Sequence, residues 1–157
     1  MVQVKIQSER GDVIPTKPVS KKIVYKIMND LKDCKTENEI YDIIGEWASV
    51  LYREIAGIIS WSKKTEKIKE LYVVIGSYFG IIVPYPKEVG AKNCLHSTFH
   101  THPQIGLLIE NYDQDSIKTH LKAGHYIKHV IIVDRKYIIQ ISRLKKLLPE
   151  YWSIKSV

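Results

Sequence analysis

Three side chains with the chemistry of metal ligands stand close together in the sequence. His100 and His102 flank Thr101 and are followed at once by Pro103, and Asp113 lies eleven residues after the second histidine. Residues i and i+2 of a β-strand point to the same face, so the two imidazoles can meet at one point. Pro103 ends that strand, and Asp113, at the start of the next predicted helix, can return as a third ligand. Three protein ligands leave one position of a tetrahedral zinc ion for water, whose pKa falls to about 7.

A hydrolase of this kind also needs a general base beside the water, and Glu54 is the candidate for that role. It stands where a predicted helix gives way to the first core strand, in the segment Glu54-x-x-Gly57. If that strand neighbours the strand of the histidines, Glu54 reaches the site from the adjacent strand end. Asp115 is the alternative to Asp113 as third ligand, and only spacing favours Asp113.

The remaining histidines have plainer interpretations. His96 shares the strand parity of His100 and His102, so it is either a group that supports the ligands or a buried histidine with satisfied hydrogen bonds, which is the more common case. Three others are expected on the surface of the following helix and around the turn after it: His120, His125 and His129.

The hydrophobic pattern predicts helices before the first core strand. A strand over the alternating residues around Val4 comes first, and a helix begins at Ser20. Thr36 and Glu39 form a capping box, which predicts the start of a second helix. Its apolar stripe has the spacing of one helical face and consists of Ile40, Ile43, Ile44, Trp47, Val50 and Leu51.

The rest of the chain alternates strands with short connections. β-Branched and aromatic segments predict neighbouring antiparallel strands over 55–61, 71–75 and 78–83, and an extended segment over 94–100 carries the histidines. A helix over 113–123 ends at Gly124, a hairpin joins strands over 129–133 and 137–142, and 143–148 predicts a short basic helix.

Length and composition are those of one globular domain. The 157 residues are 45% hydrophobic and 26% charged, which is enough chain to fold without disulfides or a structural metal, so a metal would serve chemistry. Neither Cys34 nor Cys94 has a CxxC partner, which argues against a disulfide framework or a cysteine zinc site. No apolar run reaches the roughly 20 residues of a membrane span and no signal peptide is evident, so we expect a cytoplasmic protein without membrane contact.

The net charge of +7 permits weak attraction to nucleic acid but does not require it. The charge is spread along the chain without a block of like residues, which is typical of a solvated lysine-rich surface. A nucleic-acid or protein partner would be expected on the face with the densest lysines, which are Lys63, Lys64, Lys67 and Lys69.

The segments around Glu54, His100 and His102 resemble those of the JAMM (MPN+, or JAB) metalloproteases. That family has Glu-x-x-Gly-x-aliphatic on an early strand, matched here by Glu54, Gly57 and Ile59, and then His-x-His-Pro, matched from His100 to Pro103. The resemblance implies a fold of the α/β class (α+β type), with a central mostly antiparallel or mixed sheet flanked by helices. It implies zinc held by His100, His102 and Asp113, with Glu54 as the proton shuttle. It also implies a zinc metallopeptidase that hydrolyses an isopeptide or peptide bond at the tail of a ubiquitin-like modifier.

On this basis residues 37–157 form the JAB-like core with the short C-terminal basic helix, and residues 1–36 are an N-terminal strand and helix that pack on it. The loops of the core are short, which suits a flexible peptide tail as substrate better than a large folded partner.

The sequence departs from the family pattern at position 110. The family has a serine there that helps to hold the oxyanion, whereas this chain has Glu110, whose carboxylate would oppose the developing negative charge. Either Ser116 or a backbone N–H supplies the donor, or the enzyme is slow, or the protein is a non-catalytic JAB-like scaffold that binds nucleic acid or a protein partner.

Overall fold

A computed structural model describes residues 2–8, 18–76, 86–89, 91–102, 119–133, 137–142 and 153–156, with the backbone alone described for 87, 88, 137–142 and 153–156. In chain order the elements are β1 (Gln3–Ser8), α1 (Lys21–Leu31), α2 (Glu37–Leu51), β2 (Ile55–Ser62), β3 (Ile68–Ile75), α3 (Pro86–Val89), β4 (Cys94–His102), β5 (Lys128–Val133), β6 (Tyr137–Ser142) and β7 (Ser153–Ser156). Residues 119–122 are also helical.

The strands form one mixed sheet in the order β1-β3-β2-β4-β5-β6-β7. β1 runs parallel to β3 and β4 runs parallel to β5, whereas the other four neighbouring pairs are antiparallel. The predicted α+β class with a mixed sheet is therefore confirmed. The sheet places β2, which follows Glu54, directly beside β4, which carries the histidines.

Local capping fixes where the two long helices begin. The Ser20 hydroxyl accepts a hydrogen bond from the Ile23 amide, and the Thr36 hydroxyl accepts one from the Glu39 amide, both at 3.3 Å. The Thr36 hydroxyl also donates to the Glu39 carboxylate at 3.1 Å, so the carboxylate bonds the cap side chain. Both predicted helix starts are confirmed.

The main apolar core lies between α1, α2 and one face of the sheet. Ile27 and Leu31 of α1 and Ile40 and Ile44 of α2 are fully buried there, against sheet residues that include Phe99. Alternate residues of the central strands supply the sheet side of this core, namely Ile55, Ile59, Leu71, Val73, Ile75, Phe99, Val130 and Ile132.

The predicted stripe of α2 is wrong at one position. Val50 is 66% exposed, whereas Tyr41 and Ala48, which the predicted stripe does not include, are buried. At about 100° per residue Val50 is rotated by about 120° from Ile44, so it faces away from the sheet. The other predicted positions pack on the core, with Ile40 and Ile44 fully buried and the rest partly buried, namely Ile43, Trp47 and Leu51.

Two elements were not predicted, namely α3 and β7. Gly124 has a φ of 74°, as expected for the end of the preceding helix. The predicted strand over 78–83, the helix over 143–148 and the first part of the helix from 113 lie outside the described residues. Within the described part of the chain, no helix combines the length and apolar character needed to cross a bilayer.

Candidate metal centre

The histidines lie on the sheet face opposite α1 and α2. Strand alternation puts Phe99 and Thr101 toward the helices, so His100 and His102 point to the other face. That second face is also buried along its centre, where four residues are fully buried, namely Ala56, Ile58, Thr98 and Ile131. The two candidate ligands therefore project into an interior, with His100 only 6% exposed.

The end of α2 brings Glu54 to this face. Tyr52 adopts a left-handed conformation (φ 56°) as the helix C-cap, and the Arg53 amide bonds back to the Ala48 carbonyl at 3.1 Å. This reversal ends the helix and starts β2 within three residues. The Glu54 carbonyl then accepts from the Gly76 amide at 2.8 Å, which fixes the Glu54 backbone beside β3.

A side-chain bond aligns the start of β2 with the end of β4. The Thr101 hydroxyl, between the two histidines but on the opposite face, accepts from the Ile55 amide at 2.9 Å. Ala56 pairs with His100 in the antiparallel register, so Glu54 comes level with His102. The condition for Glu54 to reach the site, that the strand after it neighbours the histidine strand, is therefore met.

Two imidazole nitrogens lie close together at the centre of the site. Nε2 of His100 lies 3.1 Å from Nε2 of His102, and the ring planes are inclined by 64°. Two imidazole nitrogens bound at 2.0–2.1 Å to a tetrahedral zinc ion are about 3.3–3.4 Å apart. The observed separation is close to that spacing, so both nitrogens can reach one metal ion with little movement.

Glu54 lies on the other side of the His102 ring. Its Oε1 atom is 3.7 Å from Nδ1 of His102, and each side chain is 13% exposed. Nδ1 is not the nitrogen that faces His100, so the carboxylate stands beside the imidazole pair rather than between the two rings. Since both side chains are partly exposed, this is the solvent-accessible end of the site.

A third histidine supports the pair from within the protein. Nδ1 of His100 lies 2.7 Å from Nε2 of His129, and Nδ1 of His129 lies 2.6 Å from Oγ1 of Thr98. The expected surface position of His129 is wrong, because it belongs to β5 and is only 1% exposed. The parallel register pairs Thr98 with His129, which puts the imidazole on the same face as His100.

His96 lies further along the same face, and among the residues that the structure describes it makes no contact with His100, His102 or His129. Its Nδ1 atom is 3.0 Å from the Ser60 hydroxyl, its cross-strand partner, which agrees with a satisfied structural histidine. Burial lowers the pKa of His96. His120 and His125 occupy the helix and the turn as expected, with their Nδ1 atoms 2.9 Å apart.

The other residues of the predicted site lie outside the described residues, namely Glu110, Asp113, Asp115 and Ser116. Within the part of the chain that is described, no group of three or more His, Cys, Asp or Glu side chains is arranged to hold a metal ion. The described ligand set thus consists of the two imidazoles, and the choice between Asp113 and Asp115 stays a prediction.

The lysine-rich segment lies away from His100 and His102. Lys63, Lys64 and Lys67 occupy the turn between β2 and β3, Lys69 follows on β3, and all four are exposed. This turn is at the opposite end of β2 from Glu54. Their exposure agrees with a solvated surface.

In comparisons with known proteins, no family model and no curated protein sequence matches this chain. The assignment of a function therefore depends on the site itself.

Proposed function

We propose that the protein is a zinc-dependent peptidase or isopeptidase of the JAMM type. The single observation that carries the proposal is the 3.1 Å approach of the two Nε2 atoms of His100 and His102, with the Glu54 carboxylate 3.7 Å from Nδ1 of His102. The spacing suits two nitrogen ligands of one zinc ion. The residues that would hold the ion are His100, His102 and a carboxylate, for which Asp113 is the candidate.

A zinc ion held there supplies Lewis-acid activation of water and of a carbonyl group near neutral pH. Hydrolysis forms a bond from the water oxygen to the carbonyl carbon and breaks the bond from that carbon to nitrogen. In this proposal Glu54 takes a proton from the attacking water and delivers it to the departing amine. A positioned carboxylate in this role contributes about 10²–10⁴-fold to the rate.

The position of Glu54 allows a second role that the same experiment separates. A carboxylate near Nδ1 of a metal-binding histidine can instead orient the ring and strengthen metal binding. If Glu54 acts as the base, Glu54→Gln lowers turnover by about 10²-fold or more and retains zinc. If it acts on His102, the affinity for zinc falls together with turnover.

The test is cleavage of a peptide amide made from the C-terminal tail of a ubiquitin-like modifier, with zinc-loaded protein. We expect hydrolysis that a chelator stops and that zinc restores, and a loss of about 10²-fold or more in Glu54→Gln. Glu46→Gln is the matched control, because Glu46 is an exposed carboxylate on α2. Equal rates in wild type and Glu54→Gln would refute the role of Glu54, and binding of no transition metal by the wild type would refute the proposal.

A further inference from the structure

The buried contact between His129 and His100 has no role in the mechanism above. His129 connects two groups that are themselves buried, with Thr98 fully buried and His100 6% exposed. The separations of 2.7 Å to His100 and 2.6 Å to Thr98 are hydrogen-bond distances on both sides of the His129 ring.

The hydrogen bonds that join Thr98, His129 and His100 can run in either of two directions, depending on which nitrogen of each imidazole carries the proton. In one, Thr98 donates to His129 and His129 donates to Nδ1 of His100, which leaves the proton of His100 on Nε2. In the other, Nδ1–H of His100 donates to Nε2 of His129, and Nδ1–H of His129 donates to the Thr98 hydroxyl oxygen. Only the second direction leaves a lone pair on Nε2 of His100, the nitrogen that faces His102.

We propose that His129 is the positioning residue of the metal centre. It holds the His100 ring with Nε2 directed at His102, and its own Nε2 atom accepts a hydrogen bond from Nδ1–H of His100 when Nε2 of His100 and Nε2 of His102 bind a metal ion. The Thr98 hydroxyl oxygen in turn accepts a hydrogen bond from Nδ1–H of His129 and fixes its ring. Metal-binding histidines commonly donate their second N–H to such a partner, and here the partner is a neutral imidazole. The inference rests on the proposed function.

The first experiment measures zinc affinity by competition with a chromophoric chelator, together with the visible spectrum of the Co²⁺ form. We expect His129→Leu, which removes the acceptor, to weaken zinc binding by about 10–100-fold and to alter the Co²⁺ spectrum. His129→Gln restores an acceptor and keeps most of the affinity. Thr98→Val, which removes only the hydroxyl, gives a smaller loss in the same direction.

His96→Gln is the matched control. His96 is on the same strand and face as His100, but its ring bonds Ser60. We expect this variant to bind zinc like the wild type. Thermal unfolding of each metal-free variant establishes that it is folded. Wild-type affinity in folded His129→Leu, or an equal loss in His96→Gln, would overturn the inference.

A second measurement separates this inference from the proposed function. Nuclear magnetic resonance of protein with ¹⁵N-labelled histidine detects a coupling across an N–H···N hydrogen bond. We expect that coupling between Nδ1 of His100 and Nε2 of His129 in the metal-free wild type, with Nδ1 of His100 as the donor once zinc is bound. If the wild type binds no metal, the proposed function fails and the coupling alone decides whether His129 orients His100. Absence of the coupling would overturn the inference even if zinc binds.

Discussion

Substitution of Gly57 by alanine tests why a glycine stands in the segment after Glu54. A Cβ atom at position 57 would lie 2.4 Å from Cζ of Phe99 and 2.5 Å from the Tyr72 carbonyl oxygen. Ordinary van der Waals contacts of a Cβ atom are 3.4–4 Å, so both approaches are short by about 1 Å. The glycine therefore lets the Phe99 ring lie across β2, where the register pairs the two residues.

The size of the stability loss depends on whether the atoms that surround position 57 can move. Phe99 is fully buried and packs edge-on against Tyr41, with ring centroids 6.1 Å apart, and the Tyr72 oxygen belongs to the sheet backbone. Overpacking of a buried site costs about 1–3 kcal/mol, and two fixed neighbours place Gly57→Ala at about 3 kcal/mol. For a chain of this size, that loss lowers the melting temperature by about 6–12 °C.

Urea denaturation and thermal unfolding of four proteins provide the assay: wild type, Gly57→Ala, Phe99→Leu and the double variant. Phe99→Leu removes the ring atoms nearest position 57, so the double variant should be more stable than the sum of the single effects predicts. We expect a coupling free energy of about 0.5–3 kcal/mol. Gly57→Ala within about 0.5 kcal/mol of wild type, or strict additivity, would refute the steric explanation.

Two further predictions follow from shifted pKa values. Burial and nearby carboxylates raise the pKa of Cys34 to about 11, so at pH 8 only about a thousandth of the thiol is thiolate. In Cys94→Ser protein, we expect an aromatic disulfide reagent to label Cys34 slowly until urea unfolds the chain. Labelling of the folded protein at the rate of an exposed thiol would contradict this prediction. Burial lowers the pKa of His96 and of His120 below the ordinary histidine value of about 6.5. The unfolded chain therefore binds more protons, and the stability due to the neutral rings is present above about pH 6.5 and is lost as pH falls below it. The free energy of unfolding should therefore drop from pH 7.5 to 5.5, and by less in the double variant with both residues changed to glutamine; an undiminished drop in that variant would contradict the assignment.

The parts of the fold with local signals were predictable from sequence. Ser20 and Thr36 cap helices through bonds to residues only three positions away, so the helix starts need no knowledge of the tertiary structure. Val50 was misassigned because the face that α2 buries depends on how the helix sits against the sheet. β7 is only four residues long and pairs with β6, so its local pattern carries little information.

The candidate site also has residues that the sequence predicts and one that it does not. The spacing of His100 and His102 and the approach of Glu54 could be predicted, because strand alternation and an antiparallel neighbour place all three on one face. His129 was missed because its contact with His100 depends on the parallel register of β4 and β5, strands separated by a connection whose path the sequence does not reveal. The available signal was its position next to the continuous apolar run Val130-Ile131-Ile132-Val133, which is typical of a strand buried on both faces, where a surface histidine is unexpected.

The most direct test of a metal centre at His100 and His102 is elemental analysis of purified protein, before and after incubation with zinc and gel filtration. We predict about one zinc per chain in the wild type, as expected for a single site. His100→Ala should hold little or none, while His96→Gln should match the wild type. A folded wild-type protein that contains no transition metal and takes up none on addition would contradict the central claim.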